Sequence, residues 1–251
     1  MLTRPGFTTT AAVALCAAAV CALGACGRPA ETAAEGYIIG IKPDSVEQEV
    51  LGEIYRALLV SVGQPATVER LPAAAGTTAV DLVGTGEADV AIACTGEILG
   101  QLNPALAEET QRDIEEDETA GDMNDDSASK AVYEDAVGTF PGGVMTIDPS
   151  PAEGCAEKGA QRGEGTLPMN IIPVFRKTEL NRGQVNRLNF VNRVISTDDL
   201  DAMVGEVEGG APVRRVVASW MLEHTKVGVD PQSIEEGESG ASDKLLDQPP
   251  V

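Results

Sequence analysis

Five cysteines and a single histidine set the limits on the chemistry available to this 251-residue chain. Cys16 and Cys21 lie inside an apolar run, Cys26 closes it, and Cys94 and Cys155 stand alone further on. Cys94 and Cys155 either join in a disulfide, as an oxidising compartment permits, or stay as two partly buried thiols. Closing that loop contributes on the order of 4 kcal/mol in the chain-entropy model. One histidine, His224, supplies neither a His-based metal site nor a Ser-His-Asp triad. Its place near the end of a helix suits a cation facing the helix dipole. Asp122 to Asp126 begins like a calcium loop, but Ser127 stands where glycine is required and Tyr133 falls at the twelfth position. Gly84-Thr85-Gly86 and Pro141-Gly142-Gly143 are turns without the context of a phosphate loop. No nucleophile, base and orienting group can be named together, so the expectation is a protein that is not an enzyme and needs no cofactor or metal.

Arg4 leads into Ala11 to Ala22, an uncharged stretch of Ala, Val, Leu and Cys. That run falls short of the roughly 20 apolar residues a spanning helix needs, and it has the length of a secretory h-region. Leu23-Gly24-Ala25-Cys26 resembles the lipobox of bacterial lipoproteins. The resemblance implies a signal peptide over 1–25, cleavage before Cys26, and diacylglycerol on the Cys26 thiol. The chain would then be held on the extracytoplasmic face of the cell membrane, with 26–35 as a tether. Each buried methylene contributes about 0.8 kcal/mol, and two or more chains on one cysteine hold firmly.

The formal charge is −22, and removing the segment that carries only Arg4 gives −23 for the remainder. So acidic a chain is repelled by nucleic acid, which is therefore excluded as a partner. Glu108 to Asp126 holds ten acidic side chains against Arg112 alone. That stretch and the tail over 226–251 read as solvated or disordered.

Tyr37 to Ile41 is a short apolar run bounded by Gly36 and Lys42-Pro43-Asp44, which reads as a buried strand. Ser45 and Gln48 have the spacing of a capping box. Val46, Val50, Ile54, Leu58 and Val62 then recur at four-residue steps, and Gly63 supplies a left-handed stop. A strand over Thr67 to Leu71, a helix over Thr78 to Val83 and a strand over Ala88 to Ala93 follow. This alternation implies a parallel α/β sheet, in which ligands gather at the carboxyl ends of strands. The residues there are Lys42 and Asp44, Gly76 and Thr77, and Thr95 and Gly96. They are the candidate ligand contacts, with backbone N–H groups at a helix start suited to a carboxylate.

Gly40-Ile41-Lys42, the helix with Glu47-Gln48 and Glu53-Ile54-Tyr55, and Gly86-Glu87-Ala88-Asp89-Val90 ending in Thr95-Gly96 resemble one family. It is the extracytoplasmic substrate-binding protein of ABC importers for glycine betaine, choline and related osmoprotectants. Asn170 to Lys177, Ser196 to Leu200 and Val217 to Met221 are similar to its returning strand, next helix start and terminal helix. The resemblance implies a type II periplasmic-binding-protein fold, a small zwitterionic or quaternary-ammonium solute as ligand, and an ABC permease as partner. It also implies two lobes that close around the solute.

The second lobe would begin after Asp148-Pro149-Ser150-Pro151, yet only the fifteen residues Ala152 to Thr166 separate it from Leu167. A domain needs at least about 50. The expectation is therefore one α/β lobe with a parallel-core sheet, built from 36–103 and 167–225. An acidic excursion over 104–166 stands in place of the second lobe, with helices and a strand near Val144 to Ile147. A rival reading is a degenerate single-lobe envelope interaction protein without a transport ligand. The chain past Cys26 has seven rings: Tyr37, Tyr55, Tyr133, Phe140, Phe175, Phe190 and Trp220. Several fit core positions, and Cys94 stands where the family commonly has a tyrosine before Thr-Gly. A bridge from Cys94 to Cys155 would pin the short segment across the strand ends.

Overall fold

A computed structural model describes residues 36–72, 76–116, 126–155 and 167–226. The expected signal peptide, the Cys26 lipidation site, the tether and the tail from 227 onward lie outside the described residues, as does most of the acidic run after Glu116.

Strand β1 (Tyr37–Ile41) leads to helix α1 (Val46–Ser61), then β2 (Ala66–Arg70), α2 (Ala79–Thr85) and β3 (Val90–Cys94). β1 pairs in parallel with β2 along its whole length and with β3 through Ile39↔Val90 and Gly40↔Ala91. The parallel core is therefore the one the alternation of elements implied. Helices α3 (Thr95–Leu102), α4 (Pro104–Glu116) and α5 (Ser127–Gly138) follow, and then β4 (Val144–Met145) and β5 (Ile171–Arg176). β5 runs antiparallel to β3, and β4 antiparallel to β5, so the sheet is mixed in the order β2-β1-β3-β5-β4. Helices α6 (Arg182–Asn192), α7 (Thr197–Glu208) and α8 (Val213–Thr225) complete the lobe.

Alternation along the strands sends side chains to two apolar layers. Ile39, Ile41, Val90, Ile92, Ile171 and Phe175 face α1, α6, α7 and α8. Ala91, Ala93, Ile172 and Val174 face α2 to α5. Both faces are covered, which accounts for apolar runs without polar alternation. α1 is the central helix: Val50, Leu51, Ile54, Leu58 and Leu59 are fully buried, each contributing roughly 1.5–3 kcal/mol. Its two buried charges pair with each other, Arg56 Nε lying 2.5 Å from Glu53 Oε2, and Arg214 Nε of α8 approaches Glu53 Oε1 at 3.5 Å.

Two local readings change. Ser45 caps α1 by accepting the Gln48 N–H at 3.1 Å, but the Gln48 amide does not return to Ser45; its Oε1 accepts the Lys42 N–H at 2.8 Å. That N–H lies just past the end of β1, and the side chain of Gln48 satisfies it. The helix expected from Thr78 is α2, which Thr78 caps through reciprocal bonds with Asp81. The described part of the segment expected as an excursion is built into the lobe: Ala107, Val132, Ala136 and Val144 are buried in the second layer. Glu108 to Glu116 is helical in α4 because Ala107 and Thr110 bury one face of an otherwise acidic helix.

Candidate functional site

The chain crosses the sheet edge twice. Beyond β4, Thr146 Oγ1 donates to Pro173 O at 2.6 Å, Ser150 N–H to Ile171 O, and Ile171 N–H to Ala152 O. Glu153 bridges Asn170, and Gly154 N–H donates to Met169 O at 2.9 Å. Residues 144–154 thus run antiparallel to 169–176, and the place expected for a second lobe is the point where these two passes end.

That point is fastened. Cys94, at the end of β3, and Cys155 are joined in a disulfide with Cα atoms 6.0 Å apart. Cys155 N–H donates to Glu47 Oε1 in the first turn of α1 at 2.7 Å. Cys155 has φ +58, a left-handed conformation that costs a non-glycine residue about 1–2 kcal/mol. The bridge and the Glu47 bond hold it there. Gly154 lets this approach happen, since a Cβ would sit 2.7 Å from Glu47 Oε1 and 3.0 Å from Ile171 Cγ1.

Beside this junction lies a cleft of about 660 Å³, in the range of small-molecule sites. Lys42, Pro43 and Asp44 from the β1 exit line it, with Ser45 to Gln48 at the start of α1, Cys155, and Val204 and Glu208 of α7. Two expected contacts, Lys42 and Asp44, are therefore here. The Lys42 ammonium lies 2.6 Å from Glu97 Oε1 on α3.

The other four are elsewhere. Gly76 has φ +88 and, with Thr77, sits in the turn before α2; neither lines the cleft. Thr95 and Gly96 form the first turn of α3, which follows β3 without a loop. Thr95 N–H donates to Asn170 O at 2.9 Å, while Thr95 Oγ1 donates to Pro168 O and accepts the Asn170 N–H. Gly96 N–H donates to Pro168 O at 3.0 Å. These groups hold the chain as it returns towards β5, so their polarity is spent on the fold.

The residue that sequence reasoning missed is Gln48. It is 2 % exposed and lines the cleft, and its Nε2 has no hydrogen-bond partner. Among the described residues Asn170 Oδ1 and Trp220 Nε1 share that condition, but neither residue lines the cleft. An unmet buried donor costs about 1–3 kcal/mol. The capping-box spacing hid Gln48, because it assigned the amide a purely structural partner.

No family model matches the sequence, and no curated protein matches it. Among solved structures the chain is similar to apo YehZ from Escherichia coli, at 15% identity and a TM-score of 0.52. The match covers 76% of this chain and 99% of that one. At that identity the likeness speaks for the fold: an α/β lobe of the type II periplasmic-binding-protein class.

Proposed function

We propose that this protein is the lipid-anchored, extracytoplasmic solute-binding component of an ABC importer of the glycine betaine and choline type, and that its capture site is the cleft at the start of α1. Capture makes and breaks no bond. The observation that carries the reading is Gln48: a buried amide with an unmet donor, in a cleft at the carboxyl end of a parallel strand. Beside it the first turn of a sixteen-residue helix supplies a positive dipole end for a carboxylate. The lipobox supports the anchor, and the ordered likeness from Gly40 to Met221 supports the importer type.

Calorimetric titration of the full-length protein in detergent micelles tests this. The panel is glycine betaine, choline, carnitine and proline betaine, together with the unmethylated glycine and proline. One-to-one binding of at least one member is expected, with a rise in Tm. No heat and no change in Tm from any of them contradicts the reading.

A further inference from the structure

The outer face of α6 runs against the charge of the chain as a whole. The formal charge is −22, yet Arg176 to Arg193 holds five basic side chains against Glu179 alone. Among the described helices α6 is the one without an acidic residue. Its inner face is spent on the core, where Leu188 and Val191 are fully buried. Its outer face presents Phe190, a large apolar side chain left 52 % exposed. Arg187 stands three residues before that ring and Arg193 three after, a spacing that makes all three neighbours on one side of the helix. Arg193 Nη1 lies 3.7 Å from Asp148 Oδ2, and among the described residues Arg187 has no carboxylate partner.

An exposed ring between two guanidinium groups suits a segment in which apolar side chains sit between carboxylates. The chain carries one. Past Lys226 six carboxylates stand against Lys244, and Leu245-Leu246, the one adjacent aliphatic pair there, lies between Asp243 and Asp247. Seventeen residues separate Lys226 from Lys244. Extended, they reach about 55 Å, whereas a lobe of this size is about 40 Å across. Attachment to the same chain gives the segment an effective concentration of about a millimolar, so a contact of modest strength is populated.

We propose that the outer face of α6 is a docking site for the tail of this chain, with Leu245 and Leu246 against Phe190, and Asp243 and Asp247 facing Arg187 and Arg193. The contact holds at low ionic strength and loosens as salt screens the charges. It is independent of the capture reading.

Lysyl endopeptidase acting on the full-length protein in detergent micelles reads the docking through its cut after Lys244, the one lysine past Lys226. Release of 245–251 is followed by mass spectrometry, and each rate is divided by that of a synthetic peptide spanning 240–251. In about 0.05 M salt the relative rate is expected to be at least fivefold below its value in about 1 M salt. Arg187→Gln with Phe190→Ser, both at exposed positions, should raise the low-salt rate at least fivefold and leave Tm unchanged. A tail cut as fast as the peptide at low salt, or a rate unchanged in the variant, overturns the docking. Protection that grows with protein concentration gives the tail to a second copy and overturns the internal contact. Binding to phosphatidylglycerol vesicles that the variant loses, with no change in the Lys244 cut, gives the face to an anionic membrane instead.

Discussion

Tyr55 shows how a single side chain ties α1 to the rest of the lobe. It is fully buried, and its hydroxyl donates to Asn192 Oδ1 on α6 at 2.7 Å. Asn192 Nδ2 in turn donates to Asp148 O and Ile171 O, so one short chain of bonds links helix, crossing and strand. Burial pushes the Tyr55 phenol well above its ordinary value, and burial followed by the Asp148 charge raises that of Tyr133. The unfolded chain releases both protons from about pH 10 while the native state keeps them. Their stabilisation is thus intact below pH 10 and lost progressively as pH climbs above it. Urea unfolding followed across pH 8–11 should show this decline. Tyr55→Phe should cost about 1–2 kcal/mol at neutral pH, leaving Asn192 Oδ1 without its donor, and should flatten the alkaline slope. A slope unchanged in the variant contradicts the assignment. Tyr55 was legible as core because Leu51 and Leu59 lie four residues either side of it on the helix. Gln48 was not legible as a site residue. An amide three positions after a serine reads the same whichever way it turns, and only the neighbouring Lys42 N–H decides.

At the scale of elements, the disulfide between β3 and the end of the second crossing has the largest expected effect. It spans 61 residues and fastens Cys155, which also bonds to α1 through Glu47. Cys94→Ala with Cys155→Ala should cost roughly 2–5 kcal/mol. In a lobe of this size that lowers Tm by roughly 5–15 °C. Reductant on the unaltered protein should do the same, and mass spectrometry of unreduced, alkylated protein should find neither thiol free. Two alkylated thiols, or a Tm indifferent to reductant, contradict the bridge. Much at this scale was legible in the sequence. The β1-α1-β2-α2-β3 unit follows from strand-length apolar runs, capping residues and glycine stops, each a local signal. The direction of β5 was not, because Ile171 to Phe175 is buried on both faces and carries no mark of orientation. Nor was α3: Thr95-Gly96 reads as a turn, and only the return of residues 167–170 against it shows why a glycine is needed. A Cβ on Gly96 would lie 2.8 Å from Leu167 Cβ and Pro168 O.

For the whole molecule, the proposed reading places an acylated Cys26 ahead of the lobe that begins at β1. Labelling cells with a palmitate analogue should mark the protein, and Cys26→Ala should abolish the label and release the chain from the membrane fraction. A label that survives the substitution contradicts the anchor. A second lobe that closes on the first is what the sequence resemblance implies. Here both passes stay on one sheet, and the bridge fixes their end. On the proposed reading, capture takes place at the face at the start of α1, and Gln48 is the test of it. Gln48→Glu keeps an acceptor for the Lys42 N–H and replaces only the unmet donor. Calorimetry of the full-length protein with the tightest-binding solute of the panel, set beside the Gln48→Glu variant, tests the central claim most directly. The account predicts that the variant keeps its Tm within a few degrees and loses affinity at least tenfold. An affinity unchanged by the substitution would contradict it.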